Sequence, residues 1–87
     1  MHYYVVLSSM KTLKVSQKHR KQLGAAVRRR RERLGVSQEK LAEMIDCHRN
    51  YVGLVERGMQ NITVDMLSRV ARALECRVAE LMQEANI

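Results

Sequence analysis

The sequence has no tryptophan, no phenylalanine and no proline, and three tyrosines are its only aromatic residues. Without large aromatic side chains the core has to be assembled from Leu, Val, Ile, Ala and Met carried on helices, and without proline nothing forces a helix to break. No apolar run approaches the roughly 20 residues that a membrane-spanning helix requires, and the short YYVVL stretch at residues 3–7 has no Lys or Arg before it. Neither an anchor nor a secretory leader is expected. Cysteine is scarce: Cys47 and Cys76 form no CxxC pair and have no secretory context, so both read as reduced, small apolar residues. Cys47, His48 and His19 match no common zinc spacing, and a Cys beside a His rarely directs both side chains at one ion, so no metal is expected. There are no paired carboxylates, no nucleophile with a partnering base and no glycine-rich phosphate loop. No enzyme is therefore expected, and no cofactor or small-molecule substrate.

What is present is enough chain for one small domain, 87 residues, and a formal charge of +7 that is unevenly spread. Met1 to Leu34 carries ten Lys or Arg against Glu32 alone, whereas Gly35 to Ile87 carries six against eight acids. A strongly basic first third suits a polyanion, because phosphate neutralisation with release of counterions supplies most sequence-independent affinity for DNA. The alternative is a solvated arginine face without a partner. A membrane surface fits less well, because the apolar stripe of this segment (Leu23, Ala26, Val27, Leu34) is needed for the domain core. The helix carrying that stripe is predicted from about Ser16 to Leu34, with Arg28, Arg29, Arg30 and Arg33 on a basic outer face. Residues 1–15 are predicted to be an N-terminal extension, and 16–85 the domain. YYVVL is read as a frayed tail, the alternative being a strand that pairs with its copy in a second subunit.

Residues 35–58, GVSQEKLAEMIDCHRNYVGLVERG, read as two short helices joined by a tight turn. Leu41, Ala42 and Ile45 give the first a buried face, Val52 and Val55 the second. Ser37 is an N-cap, Glu39 sits where the helix dipole favours a carboxylate, and Gly58 stops the second helix. Since Val52 and Val55 face inward, Arg49, Asn50, Gly53 and Leu54 face outward. Arginine near the start of such a helix can bond guanine O6 and N7, asparagine adenine N6 and N7, and leucine can meet a thymine methyl. Gly53 disfavours the helix and so points to close backbone approach, the alternative being a glycine that is merely tolerated there. Tyr51 is expected at the edge of the core with its hydroxyl toward phosphate. Thr63 caps a further helix whose apolar set is Val64, Leu67, Val70, Ala71 and Leu74, and after Cys76 a last short helix carries Val78, Leu81 and Met82.

GVSQEKLAEMI, HRNYVGLVERG and NITVDMLSRVARALECRVAELM, in this order and spacing, resemble the Cro/C1-type (XRE-like) DNA-binding domain of phage repressors and bacterial regulators, over about Leu23 to Met82. HRNYV, ERG and NIT are also similar to the controller proteins of restriction-modification systems. The resemblance implies an all-α, five-helix lambda-repressor-like domain with a helix-turn-helix. It implies a pairing of Arg31 with Glu56, the alternative being an ordinary surface arginine. It places a phosphate contact at Gln38 and a two-fold dimer interface at the last helix, with Leu81 and Met82. For those two, covering the monomer core is the alternative. The chain departs from the family pattern at Asp46, where glycine is frequent, at His48, where Ser or Thr caps the helix, and at Leu54, where a polar residue is common. The loop after Gly58 lacks the family's lysines and proline, leaving Arg57, Gln60 and Asn61, with His48, as further phosphate candidates. The expected function is a sequence-specific DNA-binding transcriptional regulator, cytoplasmic, acting as a homodimer on a palindromic site in double-stranded DNA. The alternative is an antitoxin or adaptor whose main partner is another protein.

Overall fold

Single residues mark where each helix starts and stops. The computed structural model describes residues 16–87, and these contain five α-helices: α1 (Gln17–Arg33), α2 (Gln38–Met44), α3 (Arg49–Glu56), α4 (Val64–Ala73) and α5 (Val78–Glu84). The YYVVL stretch and the rest of the expected extension lie outside the described residues. Ser16, Ser37 and Thr63 are extended, and their hydroxyls accept from the N–H groups of His19 (3.1 Å), Lys40 (3.0 Å) and Met66 (3.0 Å). Each satisfies a donor that the helix itself leaves unpaired. At α5 the roles reverse: the Arg77 N–H donates to Glu80 Oε1 at 2.8 Å, and this bond holds the Glu80 carboxyl below its ordinary range.

All five helices end in the same way. The residue past each helix end has a left-handed backbone, at Gly35 (φ 70°), Asp46 (57°), Gly58 (74°), Glu75 (59°) and Asn86 (63°). The N–H of the residue after it then reaches back to close the last turn: Val36 to Arg31 O, Cys47 to Ala42 O, Met59 to Leu54 O, Cys76 to Ala71 O and Ile87 to Met82 O, at 2.9–3.1 Å. This is the Schellman closure; at Val36, Cys47 and Cys76 the apolar residue two places past the cap packs back on the core, whereas Met59 and Ile87 stay exposed. It accounts for both cysteines. Each occupies that apolar position, half-buried against the core, and burial pushes its thiol pKa up, so that it stays protonated and poorly nucleophilic.

α1 packs on α3 and α5, α2 on α3 and α4, and α4 on α5. Leu23, Ala26 and Val27 of α1 meet Leu41 and Ala42 of α2, Val52 and Val55 of α3, and Leu67, Val70 and Ala71 of α4 in one buried cluster. Two residues that the helical periodicity places in the core lie outside it: Leu34 is 41% exposed and Val64 is 65% exposed. Both stand at helix ends, and a residue two places away along the chain turns inward instead, Val36 partly buried against the core and Ile62 fully. A further correction concerns the last helix. Leu81 is 0% exposed within the single chain, so its side chain serves the monomer core and not a dimer interface; Met82 is only partly buried.

The basic run of α1 also divides. Arg29 (Nε, 3.2 Å), Arg30 (Nε, 2.9 Å) and Arg33 (Nη2, 2.7 Å) converge on the carboxylate of Glu84 in α5, while Arg28 pairs with Glu32 at 3.2 Å. At about 3.6 residues per turn, Arg29 and Arg33 stand roughly 200° around the helix from Arg31. Arg31 faces α3. The arginine cluster therefore faces away from α3: Arg28, Arg29 and Arg33 are exposed on the outer side of α1, as expected, and Glu84 is drawn in among them. Glu84 is held below the ordinary carboxylate range, foremost by the hydrogen bond from Arg33. A carboxylate so lowered adds stability above its unfolded pKa and loses it as pH falls through its folded one. The stability advantage of the wild type over Glu84→Gln, read by urea unfolding, is thus expected at neutral pH and should shrink once pH falls below about 4.5. A pH-independent difference would show that the Glu84 charge is not what ties α5 to α1.

Candidate nucleic-acid interface

α2, the turn through Asp46 and Cys47, and α3 make the helix-turn-helix. Asp46 adopts the left-handed conformation that the turn demands, where a short polar side chain is the next best choice after glycine. His48 caps α3: its backbone is extended and its imidazole Nδ1 accepts from the Asn50 N–H at 3.1 Å. The ring thus does what a Ser or Thr hydroxyl does elsewhere, and its Nδ1 is committed to the cap.

Val52 and Val55 enter the core at 2% and 5% exposure, which turns the opposite side of α3 outward. Arg49 and Asn50 are exposed and Leu54 is half-buried. Arg49 Nε lies 3.9 Å from Glu39 Oε1, with both side chains mostly in solvent. So loose an exposed pair contributes little and yields readily to a stronger anion. Gly53, expected outward, is buried, because the Arg57 guanidinium folds back over it. Gln38, Arg49, Asn50, Gly53, Leu54 and Arg57 together line an open concavity of about 310 Å³.

Behind that concavity Arg31 and Glu56 meet in a bidentate pair: Nε to Oε2 at 2.6 Å and Nη2 to Oε1 at 3.1 Å, with 11% and 3% of the two side chains exposed. Arg31 Nη1 also donates to the Val36 carbonyl at 2.9 Å, and Gln38 Nε2 donates to Glu56 Oε1 at 3.0 Å. The hydrogen bonds to Glu56 raise the Arg31 pKa further, which keeps the guanidinium charged although partly buried. One carboxylate thereby ties α1 to the end of α3 and the start of α2. Gln38, expected to reach a phosphate, donates one amide hydrogen to this network and also lines the concavity.

Tyr51 is half-buried against the core, and burial raises its hydroxyl pKa. Past α3, Gln60 is half-buried and Asn61 exposed. Sequence reasoning passed over Arg20, which braces this loop: its Nε donates to Gly58 O at 3.2 Å and its Nη1 to Asn61 Oδ1 at 3.3 Å. Gly58 itself lies so close to Lys21 that a Cβ there would be 2.7 Å from the Lys21 Cα. The first turns of α1, through Arg20 and Lys21, are thus the basic part of that helix that borders the loop after α3. Within a run of basic residues nothing in the sequence singles Arg20 out, since its partners lie some 40 residues away.

Residues 27–81 match the helix-turn-helix family model. The chain is 42% identical over 65 residues to the control protein C.SmaI of Serratia marcescens, covering 75% of this chain and 77% of that protein. It is 36% identical over 52 residues to the control protein C.BamHI of Bacillus amyloliquefaciens, covering 60% of this chain and 64%, just under two thirds, of that relative's length. Among solved structures, the restriction-modification controller protein C.AhdI from Aeromonas hydrophila superposes with a TM-score of 0.69 at 37% identity, over 71% of this chain and 94% of that one.

Proposed function

The chain belongs to the helix-turn-helix family, and from that premise we propose that it is a sequence-specific DNA-binding transcriptional regulator that reads the major groove with α3. The observation that carries the proposal is the concavity on α3, where Arg49 and Asn50 present bidentate hydrogen-bonding groups to solvent above a rigid core. Lys21, Asn61 and Gln60 serve as phosphate contacts beside it, with the Arg20 brace holding the loop in place. His48 and Tyr51 keep a phosphate role at the edge of α3. The protein acts as a homodimer on two half-sites about one helical turn apart. Its dimer contact involves the part-exposed Met82 and excludes the fully buried Leu81. No described helix is long and apolar enough to cross a membrane, which suits a protein that meets DNA in the cytoplasm. By likeness to the control proteins, we read it as a restriction-modification controller. A protein-docking role for α3 is less well supported, because Leu54, the side chain that would drive it, is half-buried among charged and polar neighbours.

The test is a titration of duplexes selected from a random pool against wild type and Arg49→Ala. Loss of one bidentate base contact is expected to reduce discrimination at a single position by about 5- to 150-fold, equivalent to ~1–3 kcal/mol, while weak salt-sensitive binding to any duplex persists. Unchanged site preference would take base reading away from Arg49. Sedimentation equilibrium on the same sample should give twice the chain mass of 10.1 kDa.

A further inference from the structure

Gly53 stands in the middle of the outward side of an eight-residue helix, yet it is buried. What covers it is Arg57, one turn on. A Cβ built on Gly53 would lie 3.2 Å from Arg57 Nη1 and 3.9 Å from both Cζ and Nη2, so three guanidinium atoms sit directly over the glycine. Among the described residues no carboxylate pairs with Arg57, and the segment before residue 16 contains no acid. The Arg57 backbone caps α3, its N–H donating to Gly53 O at 3.1 Å, while its side chain runs back along the helix into the concavity with Arg49 and Asn50.

We propose that Gly53 is a seat for the Arg57 guanidinium, and that Arg57, held there, reads a base edge in place of gripping a phosphate. The inference rests on the DNA-reading proposal and deepens it. A helix interior disfavours glycine, so the missing side chain has to be explained by what occupies its space, and here that is a planar, charged, unpaired guanidinium. An arginine free to swing from the end of α3 would meet the DNA backbone. One laid over the helix face shares the concavity with Arg49 and Asn50, where its paired N–H groups can meet guanine O6 and N7. Gly53 is then a positioning residue that makes no contact of its own.

The experiment compares wild type, Arg57→Ala, Gly53→Ala and the double variant on the operator selected by the wild-type chain and on its single-base substitutions. Arg57→Ala is expected to flatten preference by about 5- to 150-fold at one base pair, leaving the others. Gly53→Ala, whose methyl group displaces only the far end of a flexible side chain, is expected to melt no lower than wild type and to lose preference at that same base pair. In the Arg57→Ala background it should change nothing further. Uniform weakening of all sequences by Arg57→Ala, with the salt slope reduced by about one, would identify a phosphate contact and overturn the proposal. So would a Gly53→Ala effect that persists without Arg57, which would mean that the glycine itself meets DNA. If the wild type selects no preferred duplex, the DNA-reading proposal falls; if it does select one and Gly53→Ala leaves it intact, the seat alone falls.

Discussion

Glu56→Ala is expected to destabilise the protein by about 3–5 kcal/mol, the range for removing one member of a buried ion pair. Burial decides the magnitude. The Arg28–Glu32 pair has more than half of each side chain in solvent, and pairs of that kind contribute about 0–1 kcal/mol. Glu56 is 3% exposed and accepts from both Arg31 and Gln38. Its removal leaves a partly buried guanidinium with only the Val36 carbonyl and a Gln38 amide with no acceptor. A small domain has about 5–15 kcal/mol in total, so the loss is a large share of what holds the fold. Arg31→Ala should fall in the same range, since it leaves the carboxylate unpaired, whereas Arg31→Met with Glu56→Leu should recover much of the stability by removing both charges together. Urea unfolding followed by helical circular dichroism measures all four proteins. Single variants that lose under about 1 kcal/mol would place the pair in the solvent-screened class. Because the same carboxylate holds the end of α3 against α1 and α2, operator binding should decline with the folded fraction.

How far the sequence could carry such an argument depends on whether a contact is local. The five helices, the hydroxyl caps at Ser37 and Thr63 and the stop at Gly58 depend on neighbours within one turn, and each was legible. Arg31 could be matched with Glu56, 25 residues away, only because a family resemblance supplied the partner. No resemblance points to Glu84, so from the sequence the three arginines that converge on it belong simply to a basic outer face. Leu34 and Val64 show where periodicity stops being informative. At a helix end the chain turns, and Val36 or Ile62 on the other side of the turn enters the core instead. At the interface, the outward position of Gly53 was legible from Val52 and Val55, but not what lies over it. A side chain folding back across its own helix depends on which groups nearby leave its charge unpaired.

Gly24→Ala is expected to destabilise by about 3 kcal/mol, at the upper end of what overpacking a close-packed site does. Gly24 is buried in the middle of α1, and periodicity gives no reason for a glycine there. The structure supplies one: a Cβ at Gly24 would stand 2.2 Å from the carbonyl oxygen of Val55 and 2.6 Å from that of Glu56. α1 thus crosses α3 backbone to backbone. On helix propensity alone Ala should gain about 1 kcal/mol over Gly. The clash outweighs that gain because the atoms in the way are main-chain carbonyls near the end of α3, which can retreat only if the two helices separate, and separation pulls Arg31 off Glu56 as well. At Gly53 the comparison inverts. The added methyl group meets the tip of a mobile arginine at 3.2 Å, so the propensity gain survives and Gly53→Ala should be neutral or stabilising. The same substitution at the two helix-interior glycines is therefore expected to have opposite signs in urea unfolding, and to impair DNA reading at both for different reasons: at Gly24 because α3 loses its support, at Gly53 because Arg57 loses its place. A Gly24→Ala protein as stable as the wild type would mean that α1 can slide along α3, and the fixed angle of the recognition helix would then need another source.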